Sequence, residues 1–457
     1  MTLIAALTAA ALIFAPTESE AAKAAGSAGG TDSGTLLELA SKLFPGLTRA
    51  ERALLEHADV KNVGRGDYAG TTGNYESYPE TFITLPDDPS NDPNDAAKWD
   101  GQRQIRASLI RWMCVDPDAI RRIDPQGIKV LGAKIVGKLN LSGVKVPFRL
   151  TLRRCLILEL MDLTDAELPS LDLNGSYTGP IRAHNIDVAN TVRLGLGFHA
   201  RGIVVLENAK LGEIAALEGH FQWAPEPGDP YQSRKVALNL ESTKIRGNVY
   251  LNYGFESHGG VELHHATIGG DLYGVSGHLI NPGNIALDAS NADIGGSVVL
   301  AGLTGAVAQQ ETVKGGFVQV DGVANFDSAH VSSNFSVDQV KFMGSGDKPH
   351  GLLAPGMVVK NAFVWGDVKL ENGAQLDLSG ASTQYFLMSR NWPAPGNLMI
   401  AGLTYSALGS LPGTPPWDVH TYLTFLRLQP SFSPQPYHEL ARSLRENGWP
   451  APTPSGC

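Results

Sequence analysis

Hydrophobic residues in the middle of this 457-residue chain fall on alternate positions, and from Gly127 the alternation recurs with one constant flaw. The pattern reads apolar-x-apolar-x-x-Ala-x-Ile-x-Gly-x-Leu-x-Leu. Its first copy is Ile128, Val130, Ala133, Ile135, Gly137, Leu139 and Leu141. Further copies centre on Ala209, Thr243, Ala266, Ala292, Ala329 and Ala362, with a weaker one at Ala166. Around Ala266, for example, Val261, Leu263, Ile268, Gly270 and Leu272 take the fixed places. A second motif, Gly197-Phe198 and Gly254-Phe255, begins twelve residues before the Ala of the next copy.

Alternation turns every other side chain to one side, so each short segment predicts a strand with one buried face. The x-x-Ala step slips by one residue and predicts a corner where only a small side chain fits inside. A repeat this short cannot bury its own apolar face. Stacking each repeat on the last, about 4.8 Å apart, closes a continuous core. Successive corner residues lie 33, 43, 34, 23, 26, 37 and 33 residues apart, the range of repeat arrays, with connecting loops of uneven length. The strict six-residue beat of left-handed hexapeptide solenoids is missing. The expected fold is mainly β, a right-handed parallel β-helix over residues 127–408. Bare end coils would expose unpaired backbone, which predicts α-helical caps at both ends.

On either side of the array the period changes to three and four. Thr48-Arg49-Ala50-Glu51 has the form of a capping box and opens a helix bearing Ala53, Leu54 and Leu55. Residues 62–97 read as a long loop, and Trp99–Cys114 as a helix with Ile105, Leu109, Trp112 and Met113 at helical spacing. Past residue 408, Val419–Leu428 and Pro436–Asn447 read as helices, the second stopping at Gly448. Residues 3–15 form a thirteen-residue apolar run, followed by Pro16 and alanines through Ala25. That run is short for a membrane span and resembles an export signal. Four parts follow: an export signal at 1–25, a helical N-terminal cap with a long loop at 26–126, the β-helix at 127–408, and a helical C-terminal segment at 409–457. The expected location is periplasmic or extracellular, with no transmembrane span beyond the signal.

Composition narrows the partners. A hydrophobic share of 43% with 18% charged residues excludes a disordered chain. A net charge of -10 repels nucleic acid and anionic lipid over most of the surface. The basic group Arg103, Arg106, Arg111, Arg121 and Arg122 is diluted by Asp116, Asp118 and Asp124, and reads as a solvated helix face. Cys114, Cys155 and Cys457 form no CxxC or Cys/His pattern, so neither a zinc site nor a disulfide framework is predicted.

The stretch IRASLIRWMC-x-DP, the following IDPQGIKVLGAKIVGKLNLS, the GF-x-x-x-G-x-V-x-L segments and the closing LRLQPSFSPQPYHELARSLRENG together carry a resemblance. Over about residues 40–448 the chain resembles a bacterial family of β-helical repeat proteins without established activity. Some members are labelled membrane-associated oxidoreductases. The resemblance implies a right-handed β-helix with helical flanks. It implies no cofactor that the residues support: no GxGxxG loop joins a strand to a helix, and no haem motif occurs.

Chemistry on a β-helix is usually displayed in matched outward positions of neighbouring coils. The outward rows here hold no run of carboxylates, threonines or arginines. Tyr250, Asp271 and Tyr273, beside Asn248, are the candidate ligand contacts, because tyrosine with a carboxylate is a common sugar-binding pair. His258, His264 and His265 were the metal candidates to weigh, but adjacent residues on a strand face opposite sides, and no metal site is expected. The acidic loop Asp87–Asp95 lacks the glycine and glutamate of a calcium-binding EF-hand. Nothing in the spacing of Glu207, Glu213 and Glu218 selects a catalytic pair, so no catalytic residue is expected. The expected function is an exported, non-enzymatic scaffold or binding surface for envelope glycan or protein. The alternative is a carbohydrate-active lyase or hydrolase with its site in the inserts 219–235 (Trp223, Asp229, Tyr231, Arg234) or 390–396. A carboxylate pair with an arginine in one groove beside those inserts would favour the enzyme.

Overall fold

A computed structural model describes residues 34–62, 91–225, 233–303, 316–344 and 350–448. The export-signal segment 1–25, the acidic residues Asp87 and Asp88, the insert residues Asp229 and Tyr231, and Cys457 lie outside the described residues. The fold is mainly β, and its strands gather into two long sheets in which every pair of named strands runs parallel. A repeat in the middle of the array gives two short strand positions to each sheet. Tyr177–Thr178 and Ile181–Arg182 lie in the first sheet, and Asp187–Arg193 spans both positions of the second. The next repeat stacks on it in order: His199–Arg201, Val204–Val205 and Lys210–Ala215 pair with those three strands in turn. This order of pairing is compatible with a β-helix.

The corners explain the flaw in the alternation. In Leu206-Glu207-Asn208-Ala209 the Ala209 N–H donates to the Leu206 carbonyl at 3.2 Å, and Asn208 takes φ 57°. Ser242, His265, Asn291 and Ser328 hold the same left-handed conformation one place before Thr243, Ala266, Ala292 and Ala329. Asn, Asp and His enter that region more readily than most side chains, and the position before the corner is polar in each of these repeats. The corner residues form a column. The Ala209 carbonyl accepts from Lys244 N–H, that of Thr243 from Thr267, and that of Ala266 from Asp293, at 2.8–2.9 Å. Ala209, Ala266 and Ala292 are each 1% exposed.

Three sequence assignments are corrected. Ala362 is no corner: it lies inside the strand Val358–Trp365 beside a register shift, so Phe363 and Trp365 point inward and Val364 does not. Ala133 belongs to the opposite corner, in the column of Cys155, Ser176 and Phe198, each of which precedes a register partner in the first sheet. True corners were missed where Val144 and Ile186 replace alanine, and their presence brings the spacing from Val144 to Ala209 down to 22, 20 and 23 residues. The third correction is at Trp99–Cys114. Only Ala107–Val115 is α-helix there, and Gln104–Arg106 is a strand paired with Lys134–Val136. The array therefore starts before Gly127.

Side-chain ladders fill the space between the sheets. Phe198, Phe221 and Phe255 stack with ring centres 5.4 Å apart, and all three are buried. Helices adjoin the first and last strands. Arg49–Ala58 carries the capping box read from sequence: Thr48 Oγ1 accepts from Glu51 N–H, and Thr48 N–H donates to the Glu51 carboxylate, each at 3.0 Å. Glu51 also accepts from Arg106 N–H, Nε and Nη2 at 2.7–2.9 Å. Arg106 is thus an anchor and not part of a solvated face, and Arg122 too is buried, donating to the carbonyls of Gly34 and Asp118. The helix Gln435–Glu446 lies against the strand Thr404–Ser410. Its Gln435, Glu439, Arg442 and Ser443, with Asn447 just beyond it, bond the backbone of Gly402, Leu403, Tyr405 and Ser406.

Candidate functional site

Tyr250 and Tyr273 are register partners on the second sheet, and their rings stack at 5.3 Å with an interplanar angle of 4°. Each strand presents its tyrosine outward because the flanking Val249 and Leu251, or Leu272, turn into the core. The three candidate residues are therefore brought together. Asp271 is more than a neighbour, however. Its Oδ1 accepts from Ser297 N–H of the next repeat at 2.6 Å, and its Oδ2 accepts from Tyr273 Oη at 2.7 Å. One repeat earlier, Asn248 Oδ1 accepts from Asp271 N–H at 2.8 Å while Asn248 Nδ2 donates to Tyr250 Oη. Asn248 and Asp271 thus act as rungs between repeats and fix the tyrosine rings from below. Burial, and then the hydrogen bond to Asp271, push the Tyr273 phenol well above its usual range.

The histidine trio is divided. His264 and His265 do meet, with rings 3.8 Å apart, because His265 occupies the left-handed corner position. His264 Nδ1 is 2.7 Å from Ser290 Oγ. His258 is elsewhere, its Nε2 2.5 Å from Glu256 Oε1. Among the described residues no group of three His, Cys, Asp or Glu is placed to hold a metal ion.

The sequence reading missed an outward column on the first sheet. Tyr177, His199, His220, Glu256 and His278 are successive register partners, with His199 and His220 stacked at 4.4 Å. Burial, followed by the neighbouring His220 and Arg201, pushes His199 down to about 4. Burial would raise Glu256, yet its bond to His258 and the nearby His220 and His278 hold it below the usual carboxylate range. Reading outward residues along the second sheet alone hid this column.

A second missed centre lies beside insert 219–235. Asn239, Glu262, Asp288 and Asn325 are register partners in one column. Arg234 Nη1 stands 3.0 Å from Glu262 Oε1. Burial raises the Glu262 carboxyl to about 7, with Asp288, Glu241 and Glu207 adding to it and Arg234 opposing. Glu207 thus belongs to this side, whereas Glu213 faces Tyr250 on the other, so the three glutamates weighed together are separated. Insert 390–396 is built into the core: Trp392 packs at 5.3 Å from Trp417 and 5.7 Å from Phe425.

No protein-family model, curated protein or solved structure matches this chain. The class defined so far is a mainly β protein of two long parallel sheets, with polar and aromatic columns on their outer faces. None of the described helices is long and apolar enough to cross a membrane.

Proposed function

We propose that the chain is an exported, non-enzymatic β-solenoid, a right-handed β-helix closed at both ends by helices, that serves as a scaffold or binding surface for envelope glycan or protein. The family resemblance and the apolar run 3–15 support the export and the handedness. The backbone bonds made by the helix Gln435–Glu446 support its role as an end cap. The observation that carries the binding role is the Tyr250–Tyr273 stack. Two partly exposed rings are held parallel by side chains that are themselves bonded into the next repeat, so little ordering remains to be done when a ligand arrives.

The enzymatic alternative has one observation in its favour, since Glu262, Asp288 and Arg234 supply carboxylates and an arginine beside insert 219–235. Glu262 is only 5% exposed, which favours holding a ligand over turning one over. A glycan-array and pull-down screen on the purified mature protein decides between them. Saturable binding without product is the expected result, and product formation overturns it. The secreted form is expected to begin after about residue 20, as cleaved signals do. An intact Met1 in cytosolic extract refutes export.

A further inference from the structure

We infer that Glu262, Asn239 and Arg234 form a subsite for a neutral polyhydroxylated ligand, a sugar ring of a polysaccharide. The inference starts from the column these residues share. Asn140, Asp162, Asn239, Asp288, Asn325 and Asp377 occupy that position in six other repeats, and each accepts from the backbone N–H two residues on, while Arg182, Val205, Leu353 and Met399 hold it elsewhere. The position is a corner-forming one, and its chemistry is that of a short Asx side chain. Glu262 differs from the carboxylates Asp162, Asp288 and Asp377 of this column, which all make that bond. Its extra methylene carries the carboxylate past that N–H, so the corner gains nothing from it.

The carboxylate is nonetheless drawn inside. Oε1 is taken by Arg234 at 3.0 Å, while Oε2 is buried with no hydrogen-bond partner. On the adjacent strand Asn239 is fully buried; its Oδ1 serves Glu241 N–H at 2.8 Å, and its Nδ2 has no partner. An unused donor and an unused acceptor therefore sit on neighbouring strands without bonding each other. Unpaired buried polar atoms are costly and point to a missing partner. One hydroxyl group meets both needs, accepting from Asn239 Nδ2 and donating to Glu262 Oε2.

Charge selects the ligand class. Asp288, Glu241 and Glu207 act on Glu262 and oppose an anion, while Arg234 opposes a simple cation. A neutral polyol satisfies both. The chain is tightly packed beside the column: a Cβ on Gly259 would lie 2.9 Å from Trp223 Cβ and 2.6 Å from the Lys235 carbonyl. Only a glycine at 259 leaves room there for Trp223 and for the Lys235–Ala237 backbone that follows Arg234. Arg234 forms the solvent side of the subsite, its side chain half exposed while the Glu262 carboxylate that it holds is buried.

The proposal rests on the glycan-binding reading and names a site on the sheet opposite Tyr250 and Tyr273. Its test is calorimetric titration of the full chain with cello-, xylo-, manno- and N-acetylchito-oligosaccharides. The variants are Glu262→Met, Asn239→Asp (which keeps the acceptor for Glu241 N–H) and the double variant Tyr250→Ala/Tyr273→Ala. Glu262→Met is expected to weaken binding at least about tenfold, the size of one lost hydrogen bond in a desolvated site. It is expected to melt no earlier than the natural chain, because Oε2 is unbonded and the Oε1 pair is to an arginine whose side chain is half exposed to water. Asn239→Asp is expected to weaken binding in the same direction. Loss of binding only in the tyrosine variant overturns the subsite and leaves the binding-surface reading standing. An unchanged affinity in Glu262→Met with a lowered melting temperature makes the carboxylate structural and also overturns it. A crystal soaked with the tightest sugar that shows only a water between Nδ2 and Oε2 does the same. Failure of the natural chain to bind any of the sugars removes both readings.

Discussion

Truncating Phe221 tests the stacked interior most directly. Its ring is fully buried and lies 5.4 Å from both Phe198 and Phe255. A buried phenylalanine changed to alanine costs about 3–5 kcal/mol, the lost transfer energy plus the cavity left behind. The two ring contacts, worth about 0.5–1.5 kcal/mol each, place Phe221→Ala toward the upper end of that range. Parallel neighbours on both sides restrict collapse of the cavity, which acts in the same direction. In a stacked array each repeat touches only its neighbours, so the damage is expected to stay local. Urea denaturation measures the loss, and hydrogen exchange read by mass spectrometry locates it. Faster exchange is expected in His199–Arg201, His220–Gln222 and Glu256–His258, with Leu376–Met399 unchanged. A loss below about 1 kcal/mol, or exchange rising uniformly along the chain, refutes the stacked-ladder account.

Glu51→Ala strands the Arg106 guanidinium and two backbone N–H groups, and is expected to cost about 3 kcal/mol in urea denaturation. The two titrations pull stability in opposite directions. Glu262, raised to about 7, makes the native state hold a proton the unfolded chain has lost, so its contribution falls as pH rises from about 4.5 to 7, by up to about 3 kcal/mol. His199, lowered to about 4, contributes stability that is present above pH 6.5 and lost as pH falls toward 4. Stability curves of Glu262→Gln should therefore rise more steeply with pH than those of the natural chain, and curves of His199→Asn less steeply between about pH 4 and 6.5. Burial pushes the thiols of Cys114 and Cys155 up to about 12. Their peptides should stay unmodified by iodoacetamide at pH 8 in the native protein and label fully in urea, and native labelling would contradict the buried placement.

The sheet architecture was legible because aliphatic residues at period two leave a strong imprint, and the left-handed residue before each corner fixes where alternation slips. The reading faltered where inward bulk varied. Val144, partly buried, and Ile186, fully buried, stand at corners in place of alanine, so a search for alanine passed over them. Ala362 misled for the converse reason, a small residue at a register shift inside a strand. The pairing of Tyr250 with Tyr273 followed from repeat alignment, since equal offsets from Thr243 and Ala266 put both at one height. Glu262 carried a fainter signal that went unread, a glutamate at a position where six other repeats hold asparagine or aspartate. The histidine column held none at the level of single repeats, because its members become neighbours only when inserts of different length have been set aside.

The helix Gln435–Glu446 answers the outermost backbone of the array with side chains instead of another strand. Polar groups spaced along one face of a helix thus imitate the donors and acceptors of a neighbour that never arrives. A chain cut after Ser410 would leave the backbone of Thr404–Ser410 without those side-chain partners, an edge of the second sheet open to pairing with another strand.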